Sequence, residues 1–476
     1  MASEEEVNLY NDVINKGCCK RCALRYLGCC KSLITFDHPD TCLTNFGYIT
    51  TELTVEPKSK KLKNNPCIVC LGLLQDSTLE QMLTHENLMK VEEYESQTFV
   101  AYITFPTCIL VRDHNSKVIK VNHAWRYSVE EKLCKLLNKT YDHHSKLTLH
   151  FYTSYMLEDD MLQEMAIVEN FVRNHGTNIL SKHYVTAFLE EVPDETFINL
   201  VKVPPRIPLY EVTLKELKYF SEAIHLIGNY CKYSRQLLQV PSARNREVEE
   251  FSIETIILNA FKNSTGSCYR EFKEMLFKAS SFDERSVRVL GGGRTFHLQI
   301  INPKFKSITQ RQCRKIEKKI KKTKIMSVQK LRQATKRDIH SIMDSEQLSP
   351  RSFKVLCVVY MCKNIDYCVN AVNMHTCVTV LQKTPLRLLQ DRDIKKKKKK
   401  IFYIRATKVK HKDNFIELDL CTESGFHVPE FVHGDLGRTN PSLGDIMRAK
   451  VDVLAIDVVD FFATVPCPTE EEDVII

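Results

Sequence analysis

No apolar run in this chain approaches the ~20 residues that a membrane-spanning helix needs. The longest strong run, residues 355–362, has the length of a strand. No membrane span is therefore expected. No secretory leader is expected either, because the sequence opens MASEEEV, acidic and polar where a leader is basic and then apolar. Without that route to an oxidising compartment, the 19 cysteines are not expected to form a disulfide framework. Most of them, Cys357 and Cys362 among them, sit within apolar runs and read as small core residues. The location expected is nucleus, cytoplasm or both. The third shortage is of acid, and it is local. Residues 304–337 hold fourteen Lys and Arg but one carboxylate, Glu317. That stretch carries +13 of a chain whose net charge is +9, which leaves −4 for everything else. A basic stripe on a near-neutral body suits a polyanion.

What is present divides into two parts. The 476 residues give room for two or three domains with cores of their own. Val203, Pro204 and Pro205 interrupt regular structure and stiffen a connection, so a boundary is expected there, between 1–205 and 206–476. The first part carries two CxxC pairs, Cys19–Cys22 and Cys67–Cys70, separated by a polar stretch that ends in a basic linker, 58–65. Two such knuckles can supply four thiolates to one tetrahedral zinc, whatever the length of the loop between them. The alternative is two coincidental pairs in a cysteine-rich chain. Residues 99–113 alternate like a strand, and 159–188 turn helical. In the second part Phe296, Leu298 and Ile300 alternate with polar residues, as do Ile416, Leu418 and Leu420; both read as half-buried strands. Thr309 can cap a helix running to about Lys322, with Cys313, Ile316 and Ile320 on its apolar stripe. Gly291, Gly292 and Gly293 lack the flanking pattern of a nucleotide loop and read as a tight turn. The lysine run 395–400 is of the kind usually found in solvated loops. Contact with RNA phosphate and a nuclear import signal are its two possible uses. The acidic tail 470–473 reads as disordered.

Four strings in the second part carry a family resemblance. Residues 281–296, SFDERSVRVLGGGRTF, resemble the active-site segment GREDVDVRxLGxGRPF of the archaeal and eukaryotic tRNA pseudouridine synthases that modify T-loop uridines. Val287, Arg288, Leu290, Gly291, Gly293, Arg294 and Phe296 are kept. Residues 228–241, GNYCKYSRQLLQVP, resemble that family's GRYxKYSRxLPQTPW and keep Gly228, Tyr230, Lys232, Tyr233, Ser234, Arg235, Gln239 and Pro241. Residues 382–387, QKTPLR, match the start of KTPLRVLHRR, and residues 430–441 follow EFVHGDxGRTxP. The family also has a CxxC near its start and a CxxCLG further on, which here is Cys67 to Gly72. Residues 99–114 resemble part of its accessory RNA-binding region.

The resemblance implies an α/β (α+β) protein. It would comprise a pseudouridine synthase catalytic domain with a mixed, largely antiparallel sheet, and an N-terminal zinc-knuckle, THUMP-like accessory domain. It implies tRNA as partner, one structural zinc on Cys19, Cys22, Cys67 and Cys70, no organic cofactor and no small-molecule substrate; it implies no oligomer. The family's nucleophilic aspartate falls on the column of Glu284, with Asp283 one residue early. Its two base-contacting tyrosines fall on Phe353 and His427, and its basic partner, a lysine, falls on Pro429. Tyr230, Lys232, Tyr233, Arg235, Arg288 and Arg294 are the further residues expected to contact RNA. From the residues alone, Asp283 and Glu284 could equally form an exposed acidic turn, Phe353 a core aromatic and 230–235 a solvated turn. Two readings of activity follow. One is a synthase that isomerises a T-loop uridine using Glu284 or Asp283. The other is a catalytically impaired relative that grips tRNA without modifying it.

Overall fold

Strand periodicity after residue 222 builds one ten-stranded sheet in the order β13-β10-β11-β12-β9-β14-β7-β5-β8, with β6 paired to β7. Its strands are β5 (Ile224–Lys232), β6 (Glu274–Ala279), β7 (Val287–Ile301), β8 (Met326–Gln333), β9 (Arg351–Tyr360), β10 (Val378–Lys383), β11 (Lys396–Lys408), β12 (Phe415–Thr422), β13 (Thr439–Asn440) and β14 (Lys450–Phe461). Every pairing is antiparallel except β14 with β7. The computed structural model describes residues 2–28, 37–49, 65–114, 119–156, 182–241, 252–264, 272–282, 284–362, 364–390 and 392–461. Asp283, the linker residues 58–64, the expected helical stretch up to 181 and the tail 470–473 lie outside them.

The expected alternation holds in both strands. Phe296, Leu298 and Ile300 of β7 are fully buried, as are Ile416 and Leu418 of β12, with Leu420 nearly so. Their apolar faces feed two cores. One gathers Tyr230, Ile257, Phe261, Phe296 and Leu298 under the helices Ile253–Ser264 and Gln310–Lys321. The other gathers Val355, Ile404, Leu418, Phe431 and Met447. Helix Gln310–Lys321 starts at the capping box of Thr309 and Gln312, and it buries Cys313, Ile316 and Ile320. Its basic residues occupy the remaining face.

Two expectations here are corrected. The three glycines form no tight turn: they lie inside β7, where it changes partners. Val287–Val289 run parallel to β14, and Arg294–Ile300 run antiparallel to β5. Gly291 has φ +58°, and a Cβ there would sit 1.9 Å from the Val459 carbonyl oxygen, so the kink requires a residue without one. The lysine run forms no solvated loop either, because Lys396 to Lys400 pair with β10.

Residues 1–222 form a separate compact unit. Its sheet runs β2 (Thr140–Tyr141), β1 (Thr98–Thr104), β3 (Leu147–Ser154), β4 (Thr213–Ser221). β1 is parallel to both its neighbours, and β3 and β4 are antiparallel. The helix Val121–Leu137 buries Trp125, Val129 and Leu133 in the core beside Phe99 and Phe151. The strand expected over 99–113 ends at Thr104. Pro106, which has no N–H for a ladder, stands before the helix Thr107–Arg112. The prolines at 204–205 do not mark the edge of this unit. β4, which follows them, pairs with β3 from Thr213 to Ser221, and Val212 and Leu217 join the same core. The division falls between Glu222 and Ala223. No helix among the described residues is long and apolar enough to cross a membrane.

Candidate active site

The loop that enters β7 carries Glu284, and the residues expected to grip RNA grip that loop instead. Lys232 is fully buried at the end of β5, and its Nζ donates to the carbonyls of Glu284 (2.8 Å) and Arg285 (2.9 Å). A buried ammonium needs acceptors, and these two fix the loop backbone. Arg235 Nη1 donates to the Ser286 carbonyl (3.0 Å) and the Ile456 carbonyl (2.6 Å), while its Nη2 pairs with Asp457. Arg288 closes on the same carboxylate, with Nε 2.8 Å from Asp457 Oδ1. Burial alone would raise the pKa of Asp457; the bond to Arg288 and the charge of Arg235 outweigh it and hold the carboxyl below its usual range.

Further back, Gln239 Nε2 donates to the Ser281 carbonyl (2.8 Å) and to the hydroxyl of Tyr230 (2.9 Å). Arg294 and Arg351 both donate to Ser281 Oγ. Tyr230 is fully buried against Phe277 and Phe296. Sequence period could not reveal this, because β5 lies between β7 and β8 and is buried on both faces. Tyr230 and Lys232 therefore have no surface to offer RNA. Arg235 and Arg288 are committed to Asp457. Of the six residues expected to contact RNA, Tyr233 alone is exposed, its hydroxyl 2.7 Å from Ser327 Oγ.

Glu284 opens onto a cavity of about 450 Å³ whose walls include Phe353, His427, Pro429, Arg294 and Arg387. Four columns scattered over 146 residues of sequence thus meet at one place. Phe353 is nearly buried within β9 and belongs to the core as well as to the cavity wall. His427 is held by its backbone: its N–H donates to Gln382 Oε1 (3.0 Å), and its carbonyl accepts from Gln382 Nε2 (2.8 Å). Burial lowers the pKa of its ring; Glu430 works against that and Arg387 adds to it. The net shift favours the neutral imidazole. Pro429 stands in the first turn of the helix Val428–His433.

The residue missed by sequence reasoning is Arg387. Its Nη2 lies 2.6 Å from Glu284 Oε1, and its Nε lies 2.7 Å from Glu430 Oε1. Burial pulls its pKa down, but the bond to Glu430 and the charges of Glu430 and Glu284 raise it further. Glu430 is buried, and among the described residues its Oε2 has no partner. Asp435 accepts from the backbone N–H of Leu386 (3.2 Å), and Arg438 donates to the Thr384 carbonyl (2.7 Å). So the run 430–438 fixes the turn that presents Arg387. The signal lies in the KTPLR string, to which the resemblance attached no site residue.

In the first unit, the sulfurs of Cys19, Cys22, Cys67 and Cys70 all lie within 4.8 Å of one another. Cys19 and Cys70 are 3.8 Å apart, which is about the edge of a tetrahedron built on ~2.3 Å metal–sulfur bonds. All four are free thiols, and three are fully buried. Backbone N–H groups of Cys19 and Leu74 point at the sulfurs of Cys67 (3.2 Å) and Cys70 (3.5 Å), the outer-shell support that thiolate ligands use. The donor set fits a metal ion.

Residues 225–461 match the family model described as Pus10, C-terminal. The chain is 25% identical over 444 residues to the tRNA pseudouridine synthase Pus10 of Homo sapiens, covering 87% of this chain and 81% of that one. To the tRNA pseudouridine synthase Pus10 of Pyrococcus furiosus it is 27% identical over 298 residues, covering 62% and 68%. Among solved structures, a chain of a Cbf5-Nop10-Gar1 complex matches 50% of this chain over 48% of its own length, with a TM-score of 0.27 and 8% identity.

Proposed function

This chain belongs to the Pus10 family through residues 225–461, and from that premise we propose that it is a tRNA pseudouridine synthase acting on a T-loop uridine. The observation that carries this reading is the chain Glu284–Arg387–Glu430, whose first two members line the cavity. The cavity volume lies within the roughly 300–1,000 Å³ of small-ligand pockets, enough for a nucleotide that has left its stack. A base must do so before its glycosidic bond can be reached. Phe353 offers an aromatic face. His427, neutral, offers one ring donor and one acceptor. Glu284 supplies the reacting carboxylate. Arg387 gives it an opposite charge and a fixed direction, which Pro429 cannot.

The isomerisation breaks the C1′–N1 bond, turns the base and forms C1′–C5; the C5 proton is lost and N1 gains one. The products balance without a cofactor. A glutamate reaches one methylene further than the family's aspartate, so a loop tied down by Lys232 and Arg235 matters: a carboxylate in such a site must be held to within about half an ångström. In the first unit, the reading assigns one structural zinc to the four cysteines and an accessory, THUMP-like RNA-binding role to the fold around them.

The second reading, a tRNA-binding protein without turnover, draws on Phe353 and His427 standing where the family has tyrosines. One experiment separates the two. Unmodified tRNA transcript incubated with the protein yields T-loop pseudouridine under the first reading. Glu284→Gln then lowers turnover on the order of a thousandfold with tRNA affinity unchanged. Salt-sensitive binding with no product from the unsubstituted protein would sink the synthase and keep the binder.

A further inference from the structure

The lysine run has two faces, and only one of them looks toward the site. In the ladder between β10 and β11, Val378 opposes Ile401, Val380 opposes Lys399 and Gln382 opposes Lys397. Directly opposed residues share a face. Lys397 and Lys399 therefore continue the face that is core at Ile401 and Val380, and Lys395 follows with the same parity. Gln382, on that face, is the residue that clamps the backbone of His427. Lys396, Lys398 and Lys400 oppose Lys383, Leu381 and Thr379 on the other side.

A second cavity, of about 490 Å³, is lined by Lys395, Lys397, Lys399 and Arg392, with Lys383 and Asp393 also lining it, and by none of the even-numbered lysines of the run. Leu388, Arg392, Gly425 and His427 line both this cavity and the one that holds Glu284. The two are adjoining parts of one trough. The strand is fixed as it enters the trough: the Thr384 N–H donates to the Lys395 carbonyl (2.8 Å), and the Lys395 N–H donates to Thr384 Oγ1 (2.8 Å). Lys399 is already engaged, its Nζ 3.0 Å from Glu423 Oε1 and 2.6 Å from the Ser424 carbonyl. Among the described residues, Lys395 has only an exposed partner, Asp393, at 3.9 Å, a pair worth little in water. Most of the unspent charge thus sits on Arg392, Lys395 and Lys397.

We propose that this trough binds the phosphodiester backbone of the RNA strand next to the nucleotide held at Glu284. Its contacts are chiefly Arg392, Lys395 and Lys397, with Lys399 on the same face held by Glu423 and the Ser424 carbonyl. The proposal rests on the reading of the Glu284 cavity as a nucleotide pocket. Alternate residues of a strand recur about every 6.7 Å, a repeat that suits successive backbone phosphates. An import signal would use all six lysines without regard to parity and would be read as extended, accessible chain. Here the run is locked into a ladder, and parity decides which charges face the cavity.

The test uses full-length protein in three forms: K395Q/K397Q/K399Q, K396Q/K398Q/K400Q and K395R/K397R/K399R. Kd for unmodified tRNA transcript is measured across a salt series, with turnover alongside. Each single-strand phosphate contact contributes about 0.7 to the slope of log Kd against log salt. The odd glutamine triple is expected to weaken binding about tenfold and to flatten that slope by roughly 1 to 2. The even triple changes Kd by less than about twofold, and the arginine triple keeps the slope. Should the odd glutamine triple not fold, Lys397→Gln alone carries the test, with a loss of about threefold and a slope change of about 0.7. Equal losses in the odd and even triples, or none in either, overturn the proposal while tRNA binding and turnover by the unsubstituted protein leave the synthase reading intact. An unsubstituted protein that binds no tRNA at any salt overturns both.

Discussion

Arg387 spans two carboxylates with one guanidinium, Nε to Glu430 and Nη2 to Glu284. That geometry needs a fork. A lysine ammonium is a single point of charge on a flexible stem and cannot hold both partners in fixed directions. Arg387→Lys is therefore expected to keep tRNA affinity and to lower single-turnover rate by about ten- to a hundredfold. Arg387→Ala is expected to lower it further, because Glu430 would be left buried without its partner. Single-turnover rates and Kd measured on the same preparations check this. A fall in affinity with an unchanged rate per bound tRNA would make Arg387 an RNA contact instead. The position was hard to read from sequence for a plain reason. Its partners are 43 and 103 residues away, and no local pattern links them. The columns of Glu284, His427 and Pro429 were legible because they lie within or beside strings whose order survives. The buried roles of Tyr230 and Lys232 were not, since a strand buried on both faces shows no alternation to read.

Elements follow the same division. The helix Gln310–Lys321 was legible to its cap because capping and an apolar stripe are local. The lysine strand was not: its conformation comes from pairing with β10, which overrides the propensity of a run of lysines. Tertiary pairing also makes the contact between β5 and β7 that matters for acid stability. His225 Nδ1 and His297 Nε2 meet at 2.9 Å, and one ring must accept what the other donates. Burial lowers the pKa of His297 to about 4, and the charges of His225, Lys278 on β6 and His340 on the helix Lys336–Leu348 push the same way. The folded pKa lies below the unfolded value of about 6.5, so between them the unfolded chain binds more protons. The contribution to stability is present above about pH 6.5 and is lost as pH falls toward 4. Melting temperature should therefore drop across that window, and His297→Gln should flatten the drop. A variant whose pH profile parallels the unsubstituted protein would remove the pair from the account.

The chain as a whole consists of two compact units, 1–222 and 223–476, and each has apolar clusters of its own. The first depends on its four-cysteine group in a way the second does not. Cys22, Cys67 and Cys70 are themselves members of its core, beside Leu24, Ile68 and Leu71. Four thiols brought this close and buried gain from a shared metal and lose without it, because metal binding to such a set is folding free energy. The sequence supplies a reporter. Trp125 is the chain's single tryptophan and is buried in that same core, so its fluorescence follows the first unit alone. The ten-stranded sheet of the second dominates the strand signal in circular dichroism. Metal analysis should find one zinc per chain. Chelation, or Cys67→Ser, should lower the tryptophan transition by more than about 10 °C, since structural zinc contributes about 10 kcal/mol or more in small domains. The transition seen in the strand signal should stay in place. A tryptophan transition that ignores chelator, in protein without bound metal, would make the four cysteines core residues only.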